Sequence, residues 1–319
     1  MIRFEVYIFV CLVLIAACSP GQELIDRGGE SASDTTSAPV RTEVLSPTRL
    51  PPTAPVSTAT ESETDATSAP APIEVASPTS LPPTAPAPFA LDSIIPGQEM
   101  AYTFLSTSGE VIHYWLYIPE GYNDSRSWPL IIALHGNLGS EPNLDKVRQQ
   151  SPTAFIGSQV NFPFIVISPR GPTAPWDIYQ EPIEELIGHL GESLSIDSKD
   201  QFLTGLSTGG VGAWQWALAF PNRFSGIALI AGPPTSPLFE LDPVDTCKIK
   251  DLPIWIGHSE ADKLAPIEST RAAVRALEDC GSKNVTFMMY TDLNHGESFA
   301  TAFAGPDLYD WMLALINDQ

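Results

Sequence analysis

Between residues 101 and 319 short, mostly apolar runs alternate with stretches of helical period, and that alternation leaves the chain few folds. The runs at 130–134, 164–167, 202–206, 227–230, 254–256 and 285–290 are three to six residues long. Strands so short and so apolar are expected where both faces of a parallel sheet are covered. Ahead of them, 101–107 and 111–118 alternate in polarity around Ser108-Gly109, the pattern of a hairpin. Helical periods lie at 181–194, 209–219, 266–279 and 306–317, with a weaker one near 143–150. The expected fold class is α/β: an eight-stranded, mostly parallel sheet flanked by helices.

The N-terminal part has another character. Met1, Ile2 and Arg3 precede an apolar run at 6–17 that stops at Cys18, the form of a secretory signal and shorter than a bilayer requires. The junction Leu14-Ile15-Ala16-Ala17-Cys18 resembles the lipobox of bacterial lipoproteins. That resemblance implies a lipidated Cys18 as new N-terminus and membrane anchor, placing the protein in the cell envelope outside the cytoplasm. A plain signal peptide cut near the same alanines, giving a secreted protein, and an uncleaved anchor are the alternatives.

From 19 to 88 the chain is Ser, Thr, Ala and Pro with scattered Glu, and holds 13 of the 31 prolines. Such a composition cannot bury enough apolar surface to order itself. Leu50-Pro51-Pro52-Thr53-Ala54-Pro55 recurs as Leu81-Pro82-Pro83-Thr84-Ala85-Pro86, which makes the segment a duplicated spacer reaching on the order of 100 Å. The expected organisation is a leader at 1–18, a disordered tether at 19–88 and a catalytic domain at 89–319.

Net charge is −22, of which −16 falls after residue 88, and no basic run interrupts it. Nucleic acid is therefore not an expected partner. With Cys11 and Cys18 in the leader, Cys247 and Cys280 remain. In an exported protein they are expected to pair, each lying near the N-terminal edge of neighbouring strands, against the alternative of two buried thiols.

Residues 205–209 read Gly-Leu-Ser-Thr-Gly between a strand and a helix, a nucleophile elbow centred on Ser207. The two glycines allow strand and helix to pack closely beside the raised serine. A serine hydroxyl is a weak nucleophile, so it requires a base, most often imidazole, and an acid that orients that base. His295 and His258 both follow strands at the ends where α/β sites gather, and Glu260 and Asp262 both satisfy the chain order Ser, acid, His. His113, His135 and His189 read as structural or surface histidines. One oxyanion donor is expected at the backbone amide of Thr208. No metal-ligand spacing is present, and water suffices as second substrate, so neither metal nor cofactor is expected.

The run Leu134-His135-Gly136-Asn137, the elbow, and the segments "PLIIALHGNLGS", "LPIWIGHSEAD" and "PDLYDWML" together resemble the α/β-hydrolase fold. More narrowly they look like compact secreted esterases related to polyhydroxybutyrate depolymerases, feruloyl and acetylxylan esterases, and predicted peptidases. The resemblance spans roughly 95–319, and within it the stretch 231–250 leaves no room for a large lid domain. It implies His295, in a Gly-containing loop before the last helix, as base and Asp262 as acid. It also implies a second oxyanion amide at Asn137, with Gly136 beside it. The stretch 231–250 has no helical period, so an open cleft is expected, with Trp176 and Phe299, and also Phe303, available to hold substrate. The expected activity is serine carboxylesterase chemistry through an acyl-enzyme on a small or polymeric ester. A serine peptidase of the same fold and an inactive glycan- or peptide-binding relative are the alternatives.

Overall fold

The computed structural model describes residues 87–139, 143–156, 162–171, 176–232 and 243–317, all within one compact unit, Ser77–Gln319. The leader, Cys18 and all but the last two residues of the tether lie outside the described residues, as does the centre of the 231–250 stretch.

In chain order the first elements are β1 (Ala87–Pro88), β2 (Glu99–Leu105), β3 (Val111–Tyr117), β4 (Trp128–Leu134), α1 (Leu144–Arg148), β5 (Ile165–Pro169) and α2 (Gln180–Gly191). They are followed by β6 (Ile196–Leu206), α3 (Thr208–Ala219), β7 (Gly226–Ile230), α4 (Pro243–Thr246), β8 (Ile254–Ser259), α5 (Ile267–Asp279), β9 (Val285–Tyr290), α6 (His295–Ala304) and α7 (Asp307–Asn317). The strands form one nine-stranded sheet in the order β1-β2-β3-β5-β4-β6-β7-β8-β9. β2 and β3 pair antiparallel, as do β3 and β5, and every pairing from β5 through β9 is parallel. The ninth strand is the two-residue β1, whose burial pattern is exposed throughout and therefore leaves no apolar signature. β6 starts before its apolar run because Ile196 pairs with Trp128 while the residues between stay polar and solvent-facing.

Alternation along the strands divides the core in two. Leu130, Ile132, Leu203, Leu229 and Ile256 pack with α2, α3 and α5, whereas Ile131, Ala133, Phe202, Ala228 and Ile230 pack with α6 and α7. Each strand is therefore buried on both sides, which is why its sequence is apolar without a polar beat. Because β4 and β6–β9 run parallel, the loops after all five emerge at one edge of the sheet.

Cys247 opens the single turn before β8, and Cys280 caps α5 just before β9. A disulfide joins them with their Cα atoms 5.2 Å apart and a sequence separation of 33. Closing a loop of that length restricts the unfolded chain by about 3–4 kcal/mol in the chain-entropy model. Replacing both cysteines by alanine should lower unfolding free energy in urea by roughly 2–4 kcal/mol. A mixed result, with no change in midpoint on reduction, would show the bond to be thermodynamically idle.

Candidate active site

Ser207 stands between β6 and α3 with φ 50° and ψ −118°, one of two non-glycine residues with positive φ among those described. Holding an L-residue there costs on the order of 1–3 kcal/mol, so the surroundings must enforce it. They do so through close backbone contact. A Cβ on Gly209 would fall 2.2 Å from the Leu134 carbonyl oxygen, and one on Gly205 would fall 2.1 Å from the Gly209 oxygen. The Ser207 amide also donates to the Ile230 carbonyl at 2.9 Å, tying the turn to β7. The serine is thus raised from the sheet edge at the N-terminus of a 12-residue helix, whose dipole favours negative charge there.

After β8, Asp262 is 5% exposed and accepts four contacts. Its Oδ1 takes the amides of Leu264 and Ala265, each at 2.9 Å. Its Oδ2 takes His295 Nδ1 at 2.6 Å and faces His258 Nε2 at 3.4 Å. Burial pushes this carboxyl up, but the hydrogen bonds from Ala265, His295 and Leu264 outweigh it and hold the group below its ordinary 3.8. Asp262 therefore remains a carboxylate and fixes the proton of His295 on Nδ1, leaving Nε2 as the basic nitrogen.

His295 is the first residue of α6, not part of a loop as the sequence suggested. Asn294 and Glu297 form a reciprocal capping box: Asn294 Oδ1 accepts the Glu297 amide at 3.0 Å, and the Asn294 amide donates to Glu297 Oε2 at 2.8 Å. The imidazole also lies edge-to-face on Phe299, one turn along, with centroids 4.8 Å apart. Ser259 Oγ accepts the amides of both Ala261 and Leu293, each at 3.2 Å, which joins the Asp262 loop to the one leading into His295.

The loop after β4 is held from two sides. His135 is 2% exposed; its Nδ1–H donates to the Gly136 carbonyl at 2.6 Å and its Nε2 accepts the Gly171 amide at 3.1 Å. The Gly136 amide donates to Gln150 Oε1 at 2.8 Å. The Gly136 amide is thus engaged by Gln150, which anchors the loop. Gly136 lies against Ser207, since a Cβ on it would be 3.1 Å from that of Ser207. The Asn137 side chain caps the Gly139 amide at 2.8 Å, while no described group accepts the Asn137 backbone N–H.

Other candidates fall elsewhere. Trp176, expected beside an open cleft, is 1% exposed: its ring fills the spaces left by Gly171 and Gly212 and meets His135 edge-on at 4.9 Å. Phe299 and Phe303 are buried on the α6–α7 side of the sheet, the first supporting the His295 ring. Glu260 is exposed and paired with Arg271, away from His295, and His258 is wholly buried. Gln150 and Thr270 carry no motif and were not singled out by sequence; only their hydrogen bonds identify them.

A family model described as Phospholipase/Carboxylesterase matches residues 177–301, a stretch that includes Ser207, Asp262 and His295. A probable feruloyl esterase C of Aspergillus terreus is 28% identical over 123 residues, covering 37% of this chain and 46% of that protein. A bifunctional acetylxylan esterase/xylanase of Neocallimastix patriciarum is 30% identical over 132 residues, 40% of this chain and 18% of that protein. The chain thus spans about half the length of the feruloyl esterases it matches, or less. Among solved structures, a thermostable esterase superposes with a TM-score of 0.57 at 27% identity over 68% of this chain and 62% of its own. A ferulic acid esterase does so with a TM-score of 0.53 at 15% identity over 68% and 96%, a likeness of fold alone. The chain has the α/β-hydrolase fold, and its sequence is similar to the carboxylesterase and feruloyl esterase groups.

Burial holds both His135 and His258 below their ordinary 6.5, so the native state keeps them neutral. Above 6.5 the unfolded chain also leaves them neutral, and they contribute no pH dependence. As pH falls below that value the unfolded chain takes up protons that the native state refuses, and stability is lost. The thermal midpoint should drop between about pH 7.5 and about pH 5.5, and drop less in His258→Gln than in the parent. Equal slopes in the two proteins would contradict a buried neutral His258.

Proposed function

We propose that the domain hydrolyses carboxylic esters by a two-step acyl transfer on Ser207. The observation that carries this reading is the 2.6 Å bond from His295 Nδ1 to a buried Asp262 carboxylate, at the sheet edge where the strained Ser207 elbow emerges. In the first step His295 Nε2 accepts the serine proton as Oγ attacks the ester carbonyl, and Asp262 stabilises the imidazolium that results. The oxyanion then faces the backbone amides of Thr208 and Asn137, and collapse expels the alcohol with the proton from His295. Water, activated by the same imidazole, releases the acid and restores the serine.

The names of the relatives make hydroxycinnamoyl and acetyl esters the first substrates to test, and short-chain esters the neutral reference. The leader and the Cys247–Cys280 bond favour action outside the cytoplasm, with Cys18 as lipid anchor and 19–88 as a tether.

Ser207→Ala in the full-length protein should reduce hydrolysis of p-nitrophenyl acetate and methyl ferulate by at least ~10³-fold and abolish labelling by a fluorophosphonate probe. Turnover at the parent rate would remove Ser207 from the mechanism, and faster cleavage of peptide amides than of esters would replace the esterase reading with a peptidase one. Gln150→Leu should lower kcat roughly tenfold or more with little change in KM, because it frees the loop that presents the Asn137 amide. A change confined to KM would assign Gln150 to substrate binding.

A further inference from the structure

His258 is the fourth contact of the Asp262 carboxylate, and it is 0% exposed although no part of the triad chemistry requires it. Its ring is fixed at both nitrogens. Nε2 lies 2.8 Å from the Ala265 carbonyl oxygen, which can only accept, so the proton of the neutral ring sits on Nε2. Nδ1 is then an acceptor, and Thr270 Oγ1, buried on α5 at 2.7 Å, is its donor. The Nε2–H is directed to Ala265 O, and Asp262 Oδ2, the same oxygen that receives His295 Nδ1, lies 3.4 Å from that nitrogen. Ala265 closes the loop, since its amide donates to Asp262 Oδ1 while its carbonyl accepts from His258.

Resting on the esterase reading above, we propose that His258 is a positioning residue: as a neutral donor to the rear of Oδ2, locked by Thr270, it sets the orientation and charge of the carboxylate that polarises His295. With two amides on Oδ1 and two imidazoles on Oδ2, the carboxylate has no free direction in which to rotate. The second imidazole also draws charge from the oxygen that faces His295. Without that donor, Oδ2 keeps more of its charge and attracts the His295 imidazolium more strongly. Among the described residues, the charged or titratable groups acting on His258 are Asp262 and His295.

The test compares His258→Leu, His258→Gln and Thr270→Val in the full-length protein. Glutamine keeps an N–H donor near the position of Nε2, leucine removes it, and valine removes only the hydroxyl that locks the ring. In His258→Leu, kcat on p-nitrophenyl acetate should fall on the order of tenfold with KM unchanged, a fraction of the ~10²–10⁴ contributed by a placed general base. The acid limb of its kcat/KM profile should move to higher pH. His258→Gln should restore most of both, and Thr270→Val should shift the limb part-way. The far-downfield proton resonance of the His295–Asp262 hydrogen bond should move in His258→Leu and stay in place in His258→Gln. That resonance needs no substrate, so absence of ester hydrolysis in the parent would sink the esterase reading alone, while an unmoved resonance in folded His258→Leu would sink this one. Should His258→Leu fail to fold, a parent-like pH profile in Thr270→Val overturns the proposal. A glutamine variant as impaired as the leucine one overturns it as well.

Discussion

The architecture depends on the direct contact of backbone with backbone where α3 meets the sheet. No side chain separates Gly209 from the Leu134 carbonyl, or Gly205 from Gly209, and Gly232 approaches the Ser207 carbonyl in the same way. At such distances a single methyl group cannot be accommodated, so the helix, β4, β6 and β7 are locked in one arrangement. That lock holds Ser207 at positive φ, an otherwise unfavourable state for serine. The same approach brings the Gly136 loop beside Ser207.

A second constraint is electrostatic. A carboxylate buried as deeply as Asp262 is tolerated only if its oxygens are fully used, and here two loop amides and two imidazoles use them. The arrangement keeps the group charged where burial alone would neutralise it. It also brings together two histidines from different elements: His295, partly exposed at the start of α6, and His258, buried within β8.

Most of the fold was legible because both faces of a parallel strand are apolar and helical periods separate the strands. The run 202–206 and the elbow announced their strand, turn and helix outright. Helix α6 was missed for an identifiable reason: Gly296 and the polar start of Asn294-His295-Gly296-Glu297 mask a ten-residue helix whose signal is the Asn-x-x-Glu capping box. Trp176 was misjudged because an aromatic after a strand has the same local sequence whether it lines a cleft or fills a gap. What decided it was the pair of glycines, Gly171 and Gly212, that leave room for its ring. The buried indole N–H has no partner among the described residues, at a cost of about 1–3 kcal/mol, a penalty the packing of so large a ring offsets.

By itself the sequence determined the class of fold and the strand-turn-helix elbow that carries Ser207, because those depend on local geometry and on apolar pattern. The tertiary structure decided between residues that the sequence left equivalent. It buried Asp262 against His295 while pairing the exposed Glu260 with Arg271, gave His258 and His295 different partners, and occupied the Gly136 amide with Gln150. Those choices turn on which groups meet across the sheet edge from segments far apart in sequence, and no spacing along the chain encodes such meetings.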